Sequence, residues 1–335
     1  MHDVARMAKV SARTVSRVIN HPASVHPTTR ARVEEVIRKL SFVPNLAARR
    51  LASGRNNLLA VFSYEPHFPT ERTDFFYPFL EGIQEAAGAA GYNILLFTGN
   101  QKNDSVFIER GINRAGIADG LITMGTKTNR GDLCKLVAMK FPVVNIGRRE
   151  IDAPLDWVTA DYRQGFAEAV IELARLGHRR IAFLSESSHG EPAEDQLSGY
   201  YEGLRRVQIE QEPEFVFQSI DEASARLPRL LEKPESAPTA LIVGASPDIE
   251  PMVNILLGMG VNIPRDLSLV GADRRVEAYS EDFLTMVKMP KIDMGRRAVQ
   301  ILLDRIQNPA GSSIHEYLPC SMFYGRSIAP PRKPR

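Results

Sequence analysis

The stretch DVARMAKVSARTVSRVIN, residues 3–20, decides how the N-terminal end of the chain folds. Its apolar residues recur at the spacing of a helical turn, first at Val4, Ala5 and Ala8 and then again within 15–19. A polar and basic stretch separates the two apolar groups. This pattern predicts two short amphipathic helices joined by a tight turn.

The turn and the second helix carry further signals. Val10 lies in the predicted turn, where it can fill the space between the helices. Ser11 is a suitable N-cap, because its hydroxyl can accept a free backbone N–H at the helix start. The second helix then directs small, polar or basic residues away from its apolar face: Ala12, Arg13, Ser16, Arg17 and Asn20. Such a surface suits the DNA major groove, although ordinary helix pairs also have a polar outside.

A third helix is predicted to open at 26–29, with Pro27 in the first helical position. Its apolar residues follow the i, i+3, i+4, i+7 pattern and can close over the first two helices: Val33, Val36, Ile37 and Leu40. Three helices of this length form a very small core, so we expect this unit to be only marginally stable in isolation.

Basic residues are concentrated at the same end of the chain. Residues 1–54 hold ten Lys and Arg against three Asp and Glu, a net charge of +7. The whole chain carries +2, so the remainder carries −5. This segregation favours a polyanionic partner for the N-terminal end alone, which a merely solvated basic surface does not explain.

A short basic segment follows the three helices. Residues 41–44 are predicted to be extended, because the residue before a proline avoids the helical region. Asn45 can cap a short helix over 46–52, which we expect to order only on DNA and beside its copy from a second subunit. Leu51 on this helix would either wedge between base pairs and kink the duplex or pack on the partner helix.

From residue 58 onward, apolar runs of strand length alternate with helical stretches such as 79–90 and 166–176. The predicted strands are 58–62, 93–97, 120–124, 142–146, 181–184, 240–243 and 267–270. This alternation indicates parallel sheets covered on both faces, and the number of strands indicates two α/β lobes. Ligands of such folds bind outside the carboxyl ends of the strands, here in the cleft between the lobes.

The predicted fold class is therefore an all-α helix-turn-helix headpiece joined to a two-lobed α/β core. We expect the headpiece at 1–41, a linker with the short helix at 42–57 and the core at 58–330. Within the core, the predicted first lobe covers about 58–159 and 291–318, and the second lobe covers about 160–288 and 319–330.

Composition excludes several classes of protein. The two cysteines, Cys134 and Cys320, offer no disulfide framework, and each is expected to be a small buried side chain in a reducing compartment. There is no apolar run of about 20 residues that would span a membrane. Asp3 and Arg6 make the start of the chain unlike a signal peptide, so we expect a cytoplasmic protein.

Motifs for catalysis are missing from the sequence. It contains no G-x-x-x-x-G-K-[ST], no G-x-G-x-x-G after the first strand, no G-x-S-x-G and no His/Cys metal spacing. No cofactor or metal is therefore expected, and His178, His189 and His315 are interpreted as isolated surface or loop residues. A solute-binding protein for transport is a second alternative, which the basic end argues against.

Several short motifs fall in a consistent order along the chain. They are DVA at 3–5, VS at 10–11, TVSRVIN at 14–20, VPN at 43–45, LGHRRIA at 176–182, LSLVG at 267–271 and GRS at 325–327. With them, the chain resembles the lactose-repressor and purine-repressor family of bacterial transcriptional regulators. The resemblance implies an allosteric repressor, a homodimer or tetramer, that binds a palindromic operator in double-stranded DNA and a small-molecule effector.

The resemblance also implies which residues would touch DNA. Base edges are assigned to Ala12, Arg13 and Arg17, phosphates to Thr14, Ser16 and Asn20, and the minor groove at the operator centre to Ala48 and Leu51. Lys9 stands where the family usually has glycine. It is expected either to strain the turn or to adopt an ordinary conformation and reach a phosphate.

The family's effector pocket maps onto five residues: Phe75, Phe76, Arg148, Gln196 and Asp273. The aromatic pair would stack on a ring or a sugar face, or else simply pack its helix. Asp273 would accept two hydrogen bonds from a ligand. Gln196 stands where the family commonly has a ligand-binding arginine. This difference argues against assigning this protein the effector of the lactose repressor or of the purine repressor. A neutral sugar, a sugar acid and an unliganded cleft all stay open.

Overall fold

The structure is a computed structural model that describes most of the chain. The described residues are 1–20, 22–40, 42, 56–63, 73–98, 117–125, 129–185, 190–233, 235–244, 249–273, 280 and 282–332. They form two compact units, Met1–Asn56 and Asn57–Arg335. The linker segment at 43–55, which includes the predicted helix at 46–52, lies outside the described residues.

The first unit contains the three predicted helices, α1 (His2–Ala8), α2 (Ala12–Asn20) and α3 (Pro27–Lys39), with a 3-10 turn at Pro22–Ser24. Their buried side chains form one apolar cluster, the head core: Val4, Ala5, Ala8, Val15, Val18, Val33 and Val36. Pro27 takes the first position of α3, as predicted. Leu40 is an exception, because it follows the last turn of α3 and stays 39% exposed rather than closing the core.

The second unit alternates strands with helices. In chain order these are β1 (Leu58–Ser63), α4 (Thr73–Ala89), β2 (Asn93–Thr98), β3 (Gly120–Met124), α5 (Arg130–Ala138), β4 (Val143–Ile146), β5 (Asp156–Asp161), α6 (Tyr162–Arg175), β6 (Ile181–Leu184), α7 (Glu191–Arg206), β7 (Val216–Phe217), α8 (Ile220–Leu231), β8 (Ala240–Val243), α9 (Ile249–Gly258), β9 (Ser268–Ala272), β10 (Thr285–Lys288), α10 (Lys291–Gln307), β11 (His315–Pro319) and β12 (Ser321–Phe323). A further 3-10 turn covers Pro213–Phe215.

These strands build two six-stranded sheets. The first has the order β11-β5-β4-β3-β1-β2 and is parallel throughout. The second has the order β12-β10-β9-β8-β6-β7 and is parallel except for β12, which pairs antiparallel with β10. We call the first sheet with α4, α5 and α10 the first lobe, and the second sheet with α6 to α9 the second lobe. The predicted two-lobed α/β core is confirmed.

All seven predicted strands are present, within two residues of their predicted ends. Sequence patterns missed β5, β7, β10, β11 and β12. Both predicted helical stretches begin earlier than expected, since α4 starts at residue 73 and α6 at residue 162. α6 therefore begins at the residue that directly follows β5.

Two glycines bring α4 and α10 into close contact on the first lobe. A Cβ at Gly295 would overlap the carbonyl oxygen of Phe79, and a Cβ at Gly82 would overlap that of Ile292. The two helices therefore meet backbone to backbone. This contact fixes the position of α10, whose first residue lies at the edge of the cleft described below.

His178 lies in the loop before β6, as the loop interpretation expects, and is fully buried there, where its ring bridges two segments. Its Nδ1 lies 2.8 Å from the Thr239 hydroxyl and its Nε2 lies 2.9 Å from the carbonyl oxygen of Ala329. Burial lowers the pKa of His178. His315 is exposed on β11, as expected, and His189 lies outside the described residues.

Cys320 is buried, as predicted, whereas Cys134 on α5 is only half-buried. Burial raises the pKa of the Cys320 thiol to about 12. Among the described residues, no helix combines the length and apolar character that crossing a bilayer requires.

Candidate nucleic-acid interface and effector cleft

The turn between α1 and α2 is closed by a left-handed residue. Lys9 has φ 51° and ψ 48° and ends α1 with its backbone N–H donating to the carbonyl of Arg6. Val10 then donates its backbone N–H to Ala5 at 3.0 Å, and its side chain packs against the head core. Of the two expectations for Lys9, the strained turn is the one observed, because L-residues with side chains disfavour this conformation.

The start of α2 is capped as predicted. The Ser11 hydroxyl accepts a hydrogen bond from the backbone N–H of Thr14 at 3.0 Å. The two hydroxyl oxygens of Ser11 and Thr14 lie 2.9 Å apart. The cap satisfies a free N–H of the first turn and thereby fixes where α2 begins. It also engages the Thr14 hydroxyl, which the resemblance assigns to phosphate.

The faces of α2 separate apolar from basic side chains. Val15 and Val18 are buried in the head core, whereas Arg13 and Arg17 are exposed one turn apart. Ala12 does not point away as expected, because it packs against the head core. Ser16 and Thr14 are half-buried. The side chain of Asn20, together with Ala48 and Leu51, lies outside the described residues.

The three carboxylates of the first unit all form ion pairs with cations that lie outside α2. The ion pairs are Arg6 to Asp3 at 2.6 Å, Arg30 to Glu34 at 2.7 Å and Lys39 to Glu35 at 2.7 Å. Within the described part of the chain, Arg13 and Arg17 form no ion pair. The recognition face of α2 thus presents two uncompensated guanidinium groups, the chemistry that phosphates and guanine edges bind.

The predicted effector residues lie at the carboxyl ends of the strands. Arg148 follows β4, Asp273 follows β9, and Gln196 lies in the second turn of α7. Phe75 and Phe76 occupy the first turns of α4 after β1. Arg148 and Asp273 each pair with a residue of the other lobe, so these two residues lie where the lobes meet.

Lys291 unites two of these residues and was missed by the sequence analysis. Its ammonium lies 2.8 Å from Asp273 Oδ2 and 4.8 Å from the centroid of the Phe75 ring. Both members of the ion pair are nearly buried. Burial raises the pKa of Asp273, and the charge of Lys291 only partly opposes this shift. Lys291 is the first residue of α10 and follows Pro290. This position predicts the start of a helix, but it does not predict the contact with Asp273.

The two phenylalanines differ in what they can touch. Their rings meet edge to face with centroids 5.0 Å apart. Phe76 is buried in the apolar core of the first lobe, so its role is packing. Phe75 is half-buried and lies beneath Lys291, which makes it the better candidate for contact with a ligand.

Arg148 is held by carboxylates of the protein. Its guanidinium forms two hydrogen bonds with Asp195 of α7, Nε to Oδ2 and Nη2 to Oδ1, both at 3.0 Å. A further contact joins Arg148 to Glu150. Burial works against the charged form, but Asp195 and Glu150 outweigh it and raise the pKa of Arg148. The sequence indicated the arginine, but not these partners.

Gln196 is buried on α7 and lies against the end of β8. Its Oε1 lies 2.7 Å from the place that a Cβ on Gly244 would occupy. Glycine at this position therefore makes room for the glutamine. Nearby, the Tyr162 hydroxyl donates to the Met289 sulfur at 2.7 Å, and burial raises the pKa of this tyrosine. Among the described residues, no His, Cys, Asp and Glu side chains group as metal ligands.

Comparisons with known proteins agree with this architecture. Residues 1–45 match the model for bacterial regulatory proteins of the lacI family, and residues 170–328 match a periplasmic binding protein-like domain. Catabolite control protein A of Priestia megaterium is 30% identical over 308 residues, covering 90% of this chain and 91% of the relative. The HTH-type transcriptional repressor CytR of Escherichia coli K12 is 26% identical over 96% of this chain and 94% of its own length.

Solved structures show the same fold. The lac repressor dimer bound to operator and the anti-inducer ONPF superimposes with a TM-score of 0.75 at 22% identity, covering 98% of each chain. The complex of the transcriptional regulator CelR with cellobiose gives a TM-score of 0.68 at 25% identity, covering 97% of this chain and 98% of the other.

These matches, together with the capped basic helix and the two-lobed core, define the class of protein. The chain belongs to the lacI family of bacterial regulatory proteins. Its relatives are DNA-binding transcription regulators, and it is a regulator of that kind rather than an enzyme.

Proposed function

We propose that this protein is a repressor that binds a palindromic operator as a homodimer under the control of a small-molecule effector. The headpiece at 1–41 reads DNA, the segment at 42–57 links it to the core, and the core at 58–330 binds the effector and the second subunit. The protein acts on the bacterial chromosome in the cytoplasm. The observation that carries the proposal is the pair Arg13 and Arg17, which are exposed on a capped helix and have no carboxylate partner among the described residues.

Roles within the headpiece follow from the chemistry of each side chain. Arg13 and Arg17 suit guanine edges because a guanidinium donates two parallel hydrogen bonds. Ala12 packs against the head core, so the base contacts are assigned to the two arginines. Thr14, Ser16 and Asn20 suit phosphates, and Ala48 and Leu51 are assigned to the minor groove at the operator centre.

Operator recognition is tested with Arg17→Ala in the full-length chain. Loss of a bidentate base contact should weaken specific binding by roughly 1–3 kcal/mol and relax the base preference at one position of each half-site. The matched control is Arg6→Ala, since Arg6 is an exposed headpiece cation already paired with Asp3. Fluorescence anisotropy with operator and with random duplex measures the affinities of specific and non-specific binding. An equal loss on both duplexes would make Arg17 a phosphate contact.

The effector is proposed to be a sugar or sugar derivative held in the cleft by Asp273, Phe75, Arg148 and Gln196. A sugar offers hydroxyl donors to a buried carboxylate and an apolar face to an aromatic ring. The support comes from the burial of Asp273 and its proximity to Phe75 through Lys291. The CelR–cellobiose neighbour is consistent with this class of ligand.

A thermal-shift screen of sugars, sugar acids and purines tests the effector proposal, because a bound ligand raises the melting temperature by mass action. A sugar that stabilises the wild-type protein should no longer do so in Asp273→Asn. The replacement suits the backbone, since asparagine tolerates the left-handed conformation that Asp273 adopts at φ 49°. An undiminished shift in this variant would remove Asp273 from the binding site.

A further inference from the structure

Charged side chains connect the two lobes along one side of the cleft. The cations come from the first lobe, Arg130 from α5 and Arg148 and Arg149 from the segment after β4. The anions come from the second lobe, Glu191 and Asp195 in the first turns of α7. We call these five residues the interlobe latch. The ion pairs that these residues form with one another each join one lobe to the other.

The pair of Arg148 with Asp195 is the most direct of these contacts. Two parallel hydrogen bonds of 3.0 Å join the guanidinium to the carboxylate, and Nη2 also donates to the carbonyl oxygen of Glu191 at 3.3 Å. The arginine side chain is 12% exposed and the aspartate side chain 21% exposed. A bidentate pair so shielded from water is stronger and more directional than an ordinary surface ion pair.

Glu191 provides the second connection. Its side chain is 5% exposed, and its Oε1 accepts from the backbone N–H of Glu150 at 2.8 Å and lies 2.9 Å from Arg130 Nη2. Arg149 lies 3.8 Å from the other carboxylate oxygen. These partners all belong to the first lobe. Burial opposes the charge of Glu191, but its hydrogen bonds and the two arginines outweigh burial and lower its pKa.

A third ionic contact crosses the cleft at another point. Lys291 belongs to α10 of the first lobe, and Asp273 follows β9 of the second lobe. Their 2.8 Å pair is nearly buried and lies at the proposed effector site. These ion pairs therefore tie the lobes at two places, one at Asp273 and one, the latch, at the start of α7, and Arg148 of the latch is also a proposed effector residue.

We propose that the interlobe latch holds the core closed before any effector binds. Opening the cleft would separate Asp195 from Arg148 and Glu191 from its first-lobe donors, which would take from these two shielded carboxylates the cations that now face them. The closed conformer is then the resting state of the core. An effector acts by reshaping or breaking these ion pairs, not by drawing open lobes together. This claim concerns the free core and does not depend on operator binding.

The test measures the distance between the lobes in the full-length, ligand-free protein. Spin labels are placed on the exposed helix positions Lys135→Cys of α5 and Ala225→Cys of α8, with Cys134→Ser removing the half-buried thiol. Double electron–electron resonance is recorded on labelled chain diluted with an excess of unlabelled chain. The latch is broken by Glu191→Gln with Asp195→Asn. The matched control is Glu194→Gln on the same turn, where the exposed glutamate reaches Arg148 only at 3.5 Å.

The wild-type protein and the Glu194→Gln control should give one narrow distance distribution, and the latch variant should add a population at longer distance. A latch variant with the wild-type distribution would overturn the proposal, as would a broad distribution in the wild-type protein itself.

Discussion

At the residue scale, Lys9 shows how a single backbone conformation limits the helix-turn-helix. Its φ of 51° is a conformation that costs an L-residue roughly 1–2 kcal/mol, and glycine adopts it without this cost. The turn nevertheless closes, because the N–H of Val10 reaches the Ala5 carbonyl and the valine side chain packs on the head core. The lysine side chain is exposed beside the recognition helix.

Lys9→Gly should therefore stabilise the headpiece by about 1 kcal/mol, by relieving the left-handed strain. Hydrogen exchange of headpiece amides in the full-length protein measures the change. Lys140→Gly is a matched control, since Lys140 is an exposed lysine with φ 55° in the core. It should stabilise the core and leave headpiece exchange unchanged. Faster headpiece exchange in Lys9→Gly would contradict this account of the turn.

His178 illustrates a residue whose role depends on distant partners. It is fully buried between the Thr239 hydroxyl and the Ala329 carbonyl, so it connects the second sheet to the C-terminal segment. Because burial lowers its pKa in the folded state, folding favours the neutral ring. The unfolded chain then binds the proton more readily, and acid should weaken the fold.

The stabilising contribution of neutral His178 is complete above the unfolded pKa of about 6.5 and is lost as pH falls toward the lower folded pKa. In wild type this residue should add a slope of up to about 1.4 kcal/mol per pH unit to the free energy of unfolding. Urea denaturation between neutral and mildly acidic pH measures the slope. His178→Asn should flatten it. An unchanged slope in His178→Asn would contradict the assignment.

At the element scale, the contact between α4 and α10 fixes the first-lobe side of the cleft. Gly82 and Gly295 allow the two backbones to meet, and α10 begins with Lys291, which reaches Asp273 and Phe75. Any side chain at either glycine must push the helices apart. Such a shift would move the ammonium of Lys291 relative to the second lobe.

Gly295→Ala should destabilise the core by about 1–3 kcal/mol through overpacking. Gly88→Ala is the matched control, because Gly88 lies on α4 with open space around its Cβ position. There alanine should be neutral or stabilise the helix by up to about 1 kcal/mol. Chemical denaturation of both variants separates the two effects. Equal stabilities would mean that the helices do not depend on this close approach.

The elements also show what sequence patterns can and cannot predict. β3 is fully buried and apolar except for Thr123, so its run of residues predicted a strand directly. β5 was missed because it begins and ends with an aspartate, which a short apolar run does not include. The first of these, Asp156, is nevertheless buried, because it pairs with Arg305 of α10 at 2.7 Å. β11 alternates exposed and half-buried residues at a sheet edge, which gives a weak signal.

The candidate sites divide in the same way. Arg13 and Arg17 could be assigned from the helical period, because the local repeat determines which face of α2 they occupy. The partners of Arg148 could not, since Asp195 is 47 residues away and approaches only when the two lobes assemble. Lys291 was missed for the same reason. Tertiary pairing of this kind leaves no periodic pattern in the sequence.

At the scale of the whole molecule, the chain combines a basic head with a core closed by its own charges. For a protein that binds both effector and operator, the factor by which the effector changes the affinity for operator must equal the factor by which the operator changes the affinity for effector. The strength of the interlobe latch sets how much of the effector's binding energy is used to reshape the core. A weaker latch would then alter the response to effector without any change in the headpiece.

The central claim is that α2 reads a symmetric operator through Arg13 and Arg17. It is tested most directly by selecting bound sequences from a random duplex library with the wild-type protein and with Arg17→Ala. The wild-type selection should yield an inverted repeat with half-site centres about one helical turn apart, a spacing set by two copies of the recognition helix. The variant should lose preference at one symmetric pair of positions. A wild-type selection without any repeat would contradict the account.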